Sequence, residues 1–250
     1  MEEHPLQVPA INLTTTDPAI PGWHRETTFL RDYPHEPGAA IFVIGAYNGT
    51  IADLLIQQEP DARFYLFEPQ DWAAAQLRER FGHLANVRVC EFGLGDRSGM
   101  FRMARYGTYF CSFVRGDEPL TPGAEGYFEA RMEEFGAFME GEGLDKVYYA
   151  SLNIEGYEFA LLPYLHRRGW LQKIQTIGIS WHAGGGYTWL DERTACYDDV
   201  QLVLAERHDL VLSIDNWQSW ALRELLPFEP EPELPPPKAK RVKRRRRTTK

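Results

Sequence analysis

The stretch from Ile41 to Gly49 constrains this chain more than any other. Ile41-Phe42-Val43-Ile44 is a short apolar run that ends on Gly45, and Gly49 follows four residues later. A continuous apolar run of that length reads as a strand buried on both faces. Thr50 through Gln58 then has helical spacing, with Ile51, Leu54 and Leu55 on one side and Thr50 as a candidate N-cap. A strand, a glycine loop and a helix in this order form the unit from which parallel sheets are built.

The same rhythm repeats downstream. Phe64-Tyr65-Leu66-Phe67 reads as a second strand ended by Pro69, residues 70–81 as a helix with Trp72, Leu77 and Phe81 on one side, and Val87 through Phe92 as a third strand stopped by Gly93 and Gly95. Residues 100–115 read as an inserted pair of short strands around Gly107, and residues 124–140 as a helix. Val147 to Ile154 and Ile174 to Trp181 are expected as strands four and five. Tyr157 to Arg167 and Ala195 to Arg207 are expected as helices. Leu210 to Ile214 and Trp217 to Leu225 are joined by a short turn at Asp215-Asn216, so they should run antiparallel. The expected fold is α/β: a Rossmann-like, doubly wound, mostly parallel sheet with a C-terminal antiparallel hairpin. Its bounds are read as 39–227. Residues 1–38 form an irregular arm with one short helix near 24–31, and 228–250 form a Pro-rich linker and a basic tail.

The chemistry concentrates at strand ends. Glycines between a strand and a helix let backbone approach a ligand closely and aim helix N–H groups at negative charge, as Gly45 and Gly49 are placed to do. A tight turn in any α/β protein looks similar, so the loop alone decides nothing. Glu68, directly after strand two, adds to it. An acid there accepts hydrogen bonds from both ribose hydroxyls of an adenosine cofactor, and it lies 19 residues beyond Gly49, the distance for one helix and one strand.

Four blocks stand in order: Ile41 to Thr50, Phe67-Glu68-Pro69, Gly93-Leu94-Gly95-Asp96 with Gly99, and Leu152-Asn153-Ile154-Glu155-Gly156-Tyr157-Glu158 with Leu161-Leu162. Over roughly residues 40 to 225 they resemble the FkbM-type methyltransferases. The resemblance implies a class I methyltransferase fold, S-adenosyl-L-methionine as cofactor and O-methylation of a hydroxyl on a sugar, glycan or small metabolite. It places cofactor contacts on Gly45, Ala46, Tyr47, Gly49 and Glu68, with Gly93 and Leu94 near the adenine. Val43 stands where the family usually has an acid, and Asn153 where it usually has Asp beside the reaction centre. Bulky Tyr47 stands where Asn or Gly is common.

Methyl transfer needs a group to remove the hydroxyl proton. Glu155, after strand four, and His182, after strand five, are the candidates, with Asn153 beside them. Gly184-Gly185-Gly186 would allow a mobile loop over the acceptor. No metal is expected, because no His/Asp/Glu set has ligand spacing. Cys90, Cys111 and Cys196 are scattered and odd in number, which fits a reducing, intracellular setting, as does the acidic start Met1-Glu2-Glu3.

Charge divides the chain. Residues 238–250 hold nine Lys or Arg and no acid, which leaves 18 basic residues against 36 acidic ones over 1–237. A body that acidic does not bind nucleic acid through its general surface. The tail resembles a nuclear-localisation or polyanion-binding segment, so a polyanion or a nuclear-import receptor is its expected partner, and a nuclear location is open beside a cytoplasmic one. No membrane span is expected. Two alternatives stay open beside the enzyme: a methyltransferase-fold binding or scaffold module without turnover, and a nucleic-acid methyltransferase recruited by the tail.

Overall fold

The computed structural model describes residues 30, 33, 35–106, 110–113, 125–182, 190–214 and 216–223. At its centre is β1 (Ala40–Ile44), buried at all five positions. It is followed by α1 (Thr50–Gln58), β2 (Arg63–Phe67), α2 (Asp71–Phe81) and β3 (Val87–Cys90). Strands β4 (Gly93–Gly95), β5 (Gly99–Tyr106), β6 (Phe110–Phe113) and β7 (Gly126–Glu134) come next, then α3 (Phe135–Gly141) and β8 (Val147–Leu152). The described chain continues with α4 (Glu158–Arg167), β9 (Ile174–Ser180), α5 (Leu190–Ala205), β10 (His208–Ile214) and β11 (Trp217–Leu222).

Seven strands form the main sheet in the order β10-β11-β9-β8-β1-β2-β3. β1 pairs parallel with β2 on one side and β8 on the other. β11 runs antiparallel between β9 and β10. The chain thus winds outward in both directions from β1. That makes the crevice beyond the carboxyl ends of β1 and β8 the place where a ligand fits in such a sheet.

Alternation along the strands builds the two faces. Phe42, Ile44, Tyr65 and Phe67 point one way and pack with Phe135 and Phe138 of α3, Leu161 and Leu165 of α4, and Leu204 of α5. Ile41, Val43, Phe64 and Leu66 point the other way, onto Leu55 of α1 and Leu77 and Phe81 of α2. Rings of Phe42, Phe67 and Phe138 meet edge to face, with centroids 4.9 to 5.7 Å apart. Such contacts add to plain burial.

The expected helix over 124–140 is a correction. Its first part is strand β7, and only Phe135–Gly141 is helical. Ala130 and Met132 are buried while Glu129 and Arg131 are exposed, a period of two. Ala, Glu, Met and Arg favour helix locally, but pairing with β5 overrides that preference. Glu134 ends the strand and caps the helix, its carboxylate accepting the Ala137 N–H. The inserted strands are part of a second sheet, β4-β7-β5-β6. Gly93 to Gly95 do not merely stop the third strand, which ends at Cys90. They form β4, paired parallel with β7. The N-cap of α1 is also corrected: it is Gly49, in the left-handed region, and Asn48 accepts both the N–H and the hydroxyl of Thr50. The arm helix near 24–31 (apart from Leu30), Gly107, the Gly184–Gly186 loop and the tail lie outside the described residues. Among the described residues, no helix is long and apolar enough to cross a membrane.

One buried group couples the hairpin to pH. His208 is fully buried and its Nε2 donates to the Ile174 carbonyl at 3.0 Å. Burial pushes its pKa down to about 4 from 6.5. The neutral imidazole therefore belongs to the folded state. Its stabilisation is complete above pH 6.5 and is lost as pH falls toward 4, by about 3 kcal/mol. His208→Gln keeps an N–H for Ile174 and does not titrate. In urea unfolding at pH 7 and pH 4, wild type is expected to lose about 3 kcal/mol more than this variant. Equal losses would contradict the assignment. The comparison cancels Glu68 and His182, whose raised values act in the opposite sense.

Candidate functional site

The chain leaves β1 through a turn that needs left-handed backbone at three positions. Gly45 has φ 80, Tyr47 φ 45 and Gly49 φ 79. Tyr47 is the costly one, since a side chain there is strained by roughly 1 kcal/mol or more. Glu68 holds it: the Tyr47 N–H donates to Oε2 at 2.8 Å, and the Gln70 N–H donates to Oε1 at 2.9 Å. Glu68 is 2% exposed. Burial raises its pKa, although the N–H groups of Gln70 and Tyr47 work against that rise. The Tyr47 ring meets Trp72 edge to face at 5.5 Å.

These groups open onto a cavity of about 450 Å³ at the carboxyl edge of the main sheet. Its wall includes Gly45, Tyr47 and Glu68, then Gly93 and Leu94 from β4, and Asn153 and Glu155 after β8. Met103 and Met132, from the second sheet, close it together with Tyr157. Tyr157 is pinned by a hydrogen bond from its hydroxyl to Asp96. Among the described residues, the lining carries two carboxylates, Glu68 and Glu155, and no basic side chain. Its size is within the usual range for a cofactor site.

Most of the expected site residues therefore meet in one place. Three do not border that cavity. Ala46 lines a smaller cavity of about 270 Å³ with Val43, Ser151, Ser180 and Trp217. Gly49 acts on structure: a Cβ there would lie 2.4 Å from Phe81. His182 stands behind Glu155, with Nε2 3.6 Å from Glu155 Oε1 and Nδ1 2.8 Å from Glu158 Oε1. Burial lowers the pKa of His182, but the hydrogen bond and charge of Glu158, then the charge of Glu155 and the backbone at Ser180, outweigh it, and the net shift is upward. Asn153 is exposed and borders both cavities.

Sequence reasoning missed Glu158, Tyr157, Met103 and Met132 as site residues. Glu158 carried a signal, its spacing of three from Glu155. The methionines carried none, because they reach the cavity through a sheet that was not expected.

A sheet ordered β3-β2-β1-β8-β9-β11-β10, parallel from β3 to β9 and with β11 alone reversed between β9 and β10, decides the fold class. The fold is that of a class I methyltransferase. In its four motif blocks the chain resembles the FkbM type. No family model matches the chain. A segment of 76 residues is 36% identical to the 2-O-methyltransferase NoeI of Sinorhizobium fredii (strain NBRC 101917 / NGR234), covering 30% of each chain. The matching segment thus spans under a third of that relative's length. Among solved structures, the methyltransferase FkbM from Methylobacillus flagellatus KT aligns over 78% of this chain and 46% of its own, at 15% identity and a TM-score of 0.47. A fibrillarin/Nop5p complex aligns over 80% of this chain and 82% of its own, at 10% identity and a TM-score of 0.46.

Proposed function

We propose that the chain is an S-adenosyl-L-methionine-dependent O-methyltransferase acting on a hydroxyl of a sugar, glycan or small metabolite. The carrying observation is Glu68. Its oxygens accept the Tyr47 and Gln70 N–H groups, and the Gln70 side chain also bonds the carboxylate, which faces the cavity with acceptor capacity left for ribose hydroxyls. The cavity fits the cofactor on other grounds too. Among the described residues, its two carboxylates and lack of basic groups suit a cationic sulfonium, and Gly93 and Leu94 border the space for the adenine. The segment identical in part to a 2-O-methyltransferase supports the same reading.

When bound, the cofactor supplies a methyl group on sulfur, which is left behind as a neutral thioether. The chain's own residues do the rest. Glu155 borders the cavity and takes the proton of the acceptor hydroxyl as the oxygen–methyl bond forms. Asn153 borders both cavities and holds the acceptor oxygen through its amide. His182 stands behind Glu155 rather than on the acceptor. Incubation with methyl-labelled cofactor and a panel of sugars, glycans and hydroxylated metabolites tests this. Label should enter an alkali-stable ether, and Glu155→Gln should slow its formation by about 10²-fold.

A second reading, a binding module without turnover, draws on Val43. It is buried at 2% within an apolar cluster, where the FkbM type usually has an acid. That reading is favoured if the cofactor binds and no acceptor in the panel is ever labelled. We further propose that the basic segment 238–250 meets an anionic partner. Its affinity for a polyanion should fall steeply with salt and vanish on truncation at Leu234.

A further inference from the structure

The turn after β8 is restrained more than a cofactor loop requires. Glu155 has φ 52, in the left-handed region, and Gly156 beside it has φ 92. A non-glycine residue stays there only when its surroundings over-determine it. Glu158 supplies that restraint. It is the first residue of α4 and is fully buried. Its Oε1 accepts the Ile154 N–H at 3.1 Å and stands 2.8 Å from His182 Nδ1. On the other side of the imidazole, Nε2 is 3.6 Å from Glu155 Oε1. Among the described residues, Glu158 Oε2 is buried with no hydrogen-bond partner. A buried carboxylate satisfied on one oxygen is a poor device for stability, and an apolar residue of the same size would pack as well. Its charge therefore calls for another role.

We infer that Glu158 is a positioning residue for the reacting carboxylate, fixing the turn through Ile154 and orienting Glu155 through His182. The inference rests on the reading of Glu155 as the proton acceptor. A donor bond from Nδ1 to Glu158 directs Nε2 at Glu155, so one buried carboxylate sets the direction and charge of the ring that backs the other. Among the described residues, the groups facing His182 are Glu158 from α4, Glu155 from the turn and the backbone at Ser180, the last residue of β9.

Glu158→Gln in the full chain is the test. The amide keeps an oxygen for Ile154 and for Nδ1–H but removes the charge. By histidine NMR titration, the pKa of His182 should fall by about one unit or more. Cofactor affinity by calorimetry should stay within about twofold, because Glu158 does not border the cavity. In methyl transfer, kcat should fall about 10–100-fold with the acceptor KM nearly constant. A smaller fall in the His182 pKa, or a kcat within about twofold of wild type, overturns the inference, since a merely structural carboxylate would leave turnover unmoved. His182→Gln guards against misfolding at the buried position. Its loss in kcat should match that of Glu158→Gln, and the double variant should be no worse than either, whereas additive losses would refute a single chain of residues. If neither wild type nor variant binds cofactor, the proposed function fails, while the titration still decides whether Glu158 governs His182.

Discussion

Gly45→Ala is expected to destabilise the protein by about 3 kcal/mol or more and to weaken cofactor binding at least tenfold. Gly45 has φ 80, a conformation that an L side chain adopts only under strain. A Cβ at this position would lie 2.0 Å from the Asn153 carbonyl oxygen, 3.0 Å from its carbon and 3.3 Å from Ile154 Cγ2. The obstacle is backbone, which cannot swing aside as a side-chain tip would. Either β1 and β8 separate or the loop moves out of the crevice. Both changes displace Asn153, whose N–H donates to the Ile44 carbonyl at 3.0 Å. Gly141→Ala is the control. Beyond its own helix backbone, no described atom lies within 4 Å of a Cβ there, and alanine favours the helix it ends. Urea unfolding and cofactor titration of the two variants read the difference. A Gly45→Ala protein as stable and as tightly binding as Gly141→Ala would refute the close approach of β1 and β8.

Glu68→Ala is expected to weaken cofactor affinity about 100-fold, because two hydrogen bonds to a charged acceptor contribute about 1.5 kcal/mol each. It should also destabilise the free protein by about 1–3 kcal/mol, since the Tyr47 and Gln70 N–H groups lose their shared acceptor. Glu68→Gln separates the two effects. Its oxygen satisfies one N–H, while its amide group opposes the other. An intermediate, roughly tenfold loss of affinity follows. The same carboxylate gives binding a pH dependence. Burial raises the Glu68 pKa above 4.5, and the protonated form loses an acceptor. Affinity should therefore decline as pH falls, starting above the ordinary carboxylate range. Unchanged affinity in Glu68→Ala would remove Glu68 from the site.

The parts of this molecule that depend on near neighbours in sequence were legible before the structure. Ile41 to Ile44, the glycines after them, and Glu68 after Phe67 announce a strand, a turn and an acid at fixed spacing. The hairpin at 208–222 was legible for the same reason. The second sheet was not, because β7 is written in residues that favour helix and becomes a strand only by pairing with β5. Met103 and Met132 reach the cavity only through that sheet. Glu155 and His182 were singled out separately, yet nothing in the sequence brings them within 3.6 Å. Glu158 was visible in the motif, but its complete burial is a property of the packed α4 and the segment after β9.

Titration of the full chain with S-adenosyl-L-methionine by calorimetry tests the central claim most directly. Saturable binding at one site per chain, weakened about 100-fold by Glu68→Ala, is the expected result. No heat of binding at millimolar cofactor, from a protein shown to be folded, would contradict it.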